Sequence, residues 1–112
     1  MQQPVFDHER LDVYRLAIDF VAWVGSRLDE GALVGCRLSA AKHLEEASTS
    51  VAANLAEGNG KRSLADRSRF FEISRGSALE CAACLDVLVA RKRLDSAGAA
   101  QGKAMLVRIV SI

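Results

Sequence analysis

Ala-Glu-Gly-Asn-Gly-Lys-Arg, residues 56–62, breaks a long run of helix-forming residues with two glycines and follows them with two cations. A phosphate-binding loop would need GxxxxGK[ST] behind a strand, with a helix opening at the lysine. Here the glycines come after a helical pattern and their spacing is wrong. The stretch reads instead as a helix stop, with Gly58 as a left-handed terminator and Gly60 helping to reverse the chain. Lys61 and Arg62 then stand just before the next helix start, where backbone N–H groups favour anions.

Working outward, the preceding helix runs over about residues 39–57, with Ser39 as its cap and Leu44, Ala47 or Ser48, Val51 and Leu55 facing inward beside Asn54. The following helix opens on a Ser63-x-x-Asp66 capping pattern. It extends over about residues 64–91, turning Phe70, Ile73, Ser77, Cys81, Cys84 and Leu88 inward. A first helix over about 9–28 places Tyr14, Ala17, Ile18, Val21, Val24 and Leu28 on one side. Asp7 is its cap, and Glu9 lies near the positive end of its dipole. A fourth occupies about 97–112; Gly98 and Gly102 weaken its beginning, and its end, MLVRIVSI, is firmly apolar. The only proline is Pro4, ahead of every helix. Four helices with three short connections predict an all-α fold, an antiparallel up-down-up-down four-helix bundle spanning residues 1–112 as one domain.

The composition agrees. Half of the 112 residues are hydrophobic, yet only four Phe, one Trp and one Tyr are aromatic, so the apolar excess is Ala, Leu and Val, which suits helix packing. A net charge of +1 argues against non-specific nucleic-acid binding by the whole surface. The charge is uneven, however. Residues 1–57 hold nine acids and five bases, and residues 58–112 hold ten bases and five acids. No basic start with an apolar run opens the chain, and no stretch reaches the roughly 18 uninterrupted apolar residues of a membrane span. With three cysteines, an odd number, the expectation is a cytoplasmic protein with reduced thiols and no membrane partner.

Ala82, Ala83, Leu85, Val87 and Val89 surround the third helix with apolar surface, and residues 105–110 nearly surround the fourth. Such helices are usually buried on most sides, which in a chain this short predicts self-association. Gly76, inside a strong helix, costs about 1 kcal/mol relative to Ala. It suggests close approach of another helix, with Ser77 as a second small contact and Glu80 meeting a polar partner such as Asn54. Cys81-x-x-Cys84 falls inside a helix among Ala and Leu, where packing is a better reading than zinc or redox chemistry. His43 beside Glu45 and Glu46 has no nucleophile near it in the pattern. No enzyme, cofactor or metal is expected.

Basic residues form the remaining group: Lys61, Arg62, Arg67 and Arg69 at one end of the third helix, and Arg91, Lys92 and Arg93 at the other. A helix of that length separates them by about 42 Å. Phe70 and Phe71 are expected to be buried, leaving no aromatic near for base stacking, so any nucleic-acid contact would be with phosphates.

VAANLAEGNGKRS followed by RFFEISRGSALE resembles the four-helix-bundle family of 23S rRNA intervening-sequence proteins, as does the opening LDVYRLAIDF. The matching positions are Asn54, Leu55, Ala56, Glu57, Gly58, Gly60, Lys61 or Arg62, Arg69, Phe70, Gly76, Ser77 and Glu80. The resemblance implies an antiparallel bundle that assembles as a homopentamer. Related retroelement accessory proteins bind nucleic acid and a reverse transcriptase through a basic barrel. One departure stands out. Where relatives often carry a basic pair, this chain has Glu45 and Glu46, whose charge would repel phosphates. The resulting expectation is a non-enzymatic homo-oligomeric scaffold whose partner is RNA, DNA or a nucleic-acid-associated protein. The alternative is a purely protein-binding oligomer.

Overall fold

The computed structural model describes residues 6–111. Pro4 and Ile112, given places above, lie outside the described residues. A 3-10 turn (Asp7–Arg10) leads into α1 (Asp12–Leu28), a second 3-10 turn (Gly31–Leu33), α2 (Ser39–Asn59), α3 (Leu64–Ala90) and α4 (Ser96–Val110). The described residues form no strand.

Side-chain pairs fix the directions of the helices. Ser50 meets Ser77, while the later Gly58 meets the earlier Phe70 and Phe71, so α2 and α3 are antiparallel. Lys103 pairs with Asp86, and Val110 shares a groove with Ala78, which sets α4 antiparallel to α3. Arg27 donates to Gln101, and Val13 lies by Ile109. The main contacts of α1 and α3 are each with α2 and α4, so the two stand at opposite corners of a four-helix bundle.

One cluster of side chains from all four helices forms the core, centred on Phe20, Val24, Leu44, Val51, Leu85 and Leu88. Ala17, Leu55, Cys81 and Cys84 are buried in it as their spacing predicts. Ile18 and Ile73, expected inward, are exposed instead. In α1 the inward stripe is Ala17, Phe20 and Val24, turned about one residue from the expected one. An aromatic ring has more area to remove from water than an isoleucine, and Phe20 and Trp23 set the phase. Between α2 and α3, the buried Ser74 hydroxyl donates to the Val51 carbonyl at 2.8 Å.

Helix ends differ from expectation in instructive ways. Ser63 does cap α3, accepting the Asp66 N–H at 3.1 Å. Asp7 does not cap α1; its carboxylate accepts from Asn59 at 2.8 Å, and the chain breaks at the extended Leu11 before α1 begins. Ser39 lies inside α2, with Leu38 in the capping position and no side-chain cap. Asp95 caps α4 through the Gly98 N–H.

Gly58 is not a left-handed terminator. It is buried within α2, and a Cβ there would lie 2.9 Å from the Phe70 Cβ and from the Phe71 ring. Absence of a side chain, rather than backbone freedom, is what this position requires. Gly60 follows as a right-handed cap with φ −82°. The left-handed terminator stands at the other end of α3, where Lys92 has φ +60°. There the Arg93 N–H reaches the Leu88 carbonyl at 2.8 Å and the Lys92 N–H reaches Val89 at 2.9 Å, a Schellman closure. Gly102 is likewise a close-approach residue and not merely a weak helix former. An added Cβ would come 2.5 Å from the Trp23 ring and 3.0 Å from Leu85.

Candidate nucleic-acid interface

The turn between α2 and α3 organises its cations around two phenylalanines. Phe71 packs against the core, and Phe70 is half-buried. Lys61 Nζ lies 5.0 Å and the Arg69 guanidinium 5.1 Å from the Phe70 ring centre, within the range of cation–π attraction. Lys61 also stands 3.9 Å from Glu57. Arg67 has a different task. Its Nη1 donates to the carbonyls of Asn59 (3.1 Å) and Lys61 (3.4 Å), and its guanidinium lies over Phe71 at 5.9 Å. It neutralises carbonyls at the negative end of α2 and ties α3 to the turn. Arg67, one of the cations expected at phosphates, thus also clamps the turn within the chain. Arg62 is exposed and in no ion pair among the described residues.

Arg91, Lys92 and Arg93 are all exposed at the far end of α3, in no ion pair among the described residues. A helix of 27 residues separates the two basic groups by about 40 Å.

Between these ends the outward seam of α2 and α3 is polar and partly acidic. Asn54 donates to the Ser50 carbonyl (2.9 Å) and hydroxyl (3.0 Å), and the Ser50 and Ser77 hydroxyls meet at 2.9 Å. Asn54 therefore serves the seam through Ser50 and not through Glu80, which is exposed. His43, Glu46, Ala47, Ser50, Ser77 and Glu80 line a shallow depression of about 170 Å³. Glu45 and Glu46 are exposed. Carboxylates in this stretch disfavour a phosphate backbone lying along the seam.

Gly76 does not serve a close approach within the chain. It is exposed, and a Cβ there would meet nothing within 4 Å. Leu79, Ala83 and Val87 continue the same outward side of α3, with Leu79 57% exposed. Beside it, Ala78, Leu79, Ala82, Leu106, Val107 and Val110 line a groove between α3 and α4, bounded by the Asp86–Lys103 ion pair. Val107 is 60% exposed.

Cys81 and Cys84 are buried in α3. Burial, then the neighbouring Cys84 and Glu80, pushes the Cys81 thiol up to about 12, and burial and Glu80 raise Cys84 as well. Both behave as small apolar packing groups, since the reactive form is the thiolate. Among the described residues, no three His, Cys, Asp or Glu gather in a metal-binding group.

Sequence reasoning missed an aromatic group beside the first turn. The Asp7–Asn59 hydrogen bond brings the Phe6–His8 segment against the end of α2. The Phe6 and His8 rings stack with centres 5.7 Å apart, and His8 meets the Tyr14 ring edge-on at 4.7 Å. Phe6 is 71% exposed. The signal was topological: in an up-down bundle the chain start must lie at the end that carries the α2–α3 turn.

These observations define an all-α four-helix protein with basic ends and an uncovered apolar face. The description 23S rRNA-intervening sequence protein matches residues 9–112, and the chain belongs to that family. No curated protein matches it. No helix among the described residues is long and apolar enough to cross a membrane.

Proposed function

We propose that the protein is a non-enzymatic, self-associating scaffold of the cytoplasm that holds nucleic acid through phosphate contacts at its basic ends. The observation that carries this reading is the outward face of α3. Gly76, Leu79, Ala83 and Val87 are exposed there, beside the Val107 groove, and a Cβ on Gly76 would meet nothing inside the chain. Apolar surface of this kind marks an interaction site. A glycine in the middle of a helix, costly and unused internally, fits the close approach of a sister helix. The family resemblance implies five copies.

Assembly would repeat each basic end around the particle, raising a weak phosphate contact by multivalency. Lys61, Arg62 and Arg69 at one end, and Arg91, Lys92 and Arg93 at the other, are the residues for it; Arg67 donates to carbonyls within the chain. Native mass spectrometry tests assembly: oligomers are expected, and Leu79→Glu with Val87→Glu should yield folded monomers. Nucleic-acid binding is tested by titrating RNA or single-stranded DNA at about 50 mM salt, where phosphate contacts are strongest. Affinity should fall steeply with added salt and on reversal of Lys61, Arg62 and Arg69 to Glu. Exposed Glu45 and Glu46 favour the alternative, a scaffold for a basic protein partner; an oligomer with no affinity for nucleic acid would establish it.

A further inference from the structure

We infer that the Phe6–His8–Tyr14 ring group is a base-stacking platform for single-stranded nucleic acid, with Lys61 and Arg62 receiving the adjoining phosphates. This rests on the nucleic-acid reading above and adds to it a place, a preference for unpaired strands and a set of residues.

Three features of the site support the assignment. First, the rings are held in place. Asn59 donates to Asp7 at 2.8 Å, and the Glu9 N–H closes the short turn on the Phe6 carbonyl at 3.0 Å. His8 backs Phe6 with its ring nearly parallel, 12° apart, and Tyr14 backs His8 at 71°. The ring at the open end of this stack is left 71% exposed, although burial of such a side chain would be favourable by about 2 kcal/mol. A supported and uncovered aromatic face is what a nucleobase requires.

Second, cations lie at the same end of the bundle. Asn59, which anchors the turn, is two residues from Lys61 and three from Arg62, placing those Cα atoms within about 8 and 12 Å of its own. Arg10, in the same 3-10 turn as His8, is exposed as well. Of the carboxylates near the rings, Asp7 accepts from Asn59 and Glu57 is paired with Lys61, while Glu9 is in no ion pair among the described residues. Third, the combination selects the strand type. Stacking on an aromatic side chain needs a base with a free face, which single strands offer and continuous duplexes do not. Every base has such a face, so little sequence preference is expected.

The test uses the full chain and a 12-nucleotide oligoadenylate, with a 12-base-pair RNA duplex as comparison, at about 50 mM salt. Phe6→Leu keeps an apolar side chain and removes the ring. It should weaken single-strand binding about tenfold and leave duplex affinity unchanged, while Phe6→Tyr restores wild-type binding. Because Phe6 is exposed, all variants should melt like the parent. If Phe6→Leu binds both probes as the parent does, while Arg62→Glu weakens both, the stacking platform is overturned and the phosphate reading survives. If the parent binds neither probe, both fall together.

Discussion

Between α2 and α3 the chain reverses through Gly60–Ser63, and between α3 and α4 it reverses through Arg91–Asp95. Both turns bring Lys and Arg to an end of the same long helix. At the first, three of the four cations make contacts within the chain while Arg62 stands exposed: Arg67 donates to two carbonyls, and Lys61 and Arg69 flank the Phe70 ring. At the second, the backbone closes its own hydrogen bonds through a left-handed Lys92, and the three side chains stand in solvent. A count of charges therefore says little about their availability. What decides it is whether a neighbouring helix offers carbonyls and rings at the right height.

The largest effect expected from this contrast lies at two glycines, Gly58 near the end of α2 and Gly60 at its cap. Gly58→Ala forces a Cβ against Phe70 and Phe71 and should cost about 2 kcal/mol in urea unfolding. Gly60→Ala meets nothing closer than 3.5 Å and should be neutral or stabilising by about 0.5 kcal/mol. Equal losses at both sites would mean that the first turn depends on backbone freedom after all. Next, Arg67→Ala should cost about 1.5 kcal/mol through its lost charged hydrogen bonds, against less than about 0.5 for Arg62→Ala or Arg91→Ala. Thermal melts that shift alike for all three would erase the distinction between the turns. Smallest is Lys92→Gly, which relieves a left-handed lysine and should raise stability by about 1 kcal/mol or less. Destabilisation there would show that the Lys92 side chain contributes something beyond the turn.

The helices were legible because their signals are local. Ser63 and Asp66 announce α3 by a capping pattern that needs no tertiary information, and the spacing of Leu44, Val51 and Leu55 gives α2 its inner face. Errors arose where a residue's role depends on a distant partner. Gly58 resembles any helix-stopping glycine until Phe70 and Phe71 fold over it. Asp7 resembles a cap until Asn59 claims it. Ile18 and Phe20 compete for the inward side of α1 in a way that spacing alone does not rank. Lys92 carries no sign of its left-handed backbone, since the residue type is unsuited to it. The candidate interface was half legible for the same reason: cations are visible as letters, whereas the ring group at Phe6, His8 and Tyr14 exists only once the chain start returns to the α2–α3 turn.

The indole of Trp23 sits in a notch that Gly102 leaves open, with the Arg27 guanidinium 5.7 Å from its centre. Since the chain has no other tryptophan, its emission is a native optical tag on the α1–α4 seam. Fluorescence and circular dichroism recorded together thus give a clock for the order of disassembly. An emission change that runs ahead of helix loss would identify the α1–α4 seam as the first to open.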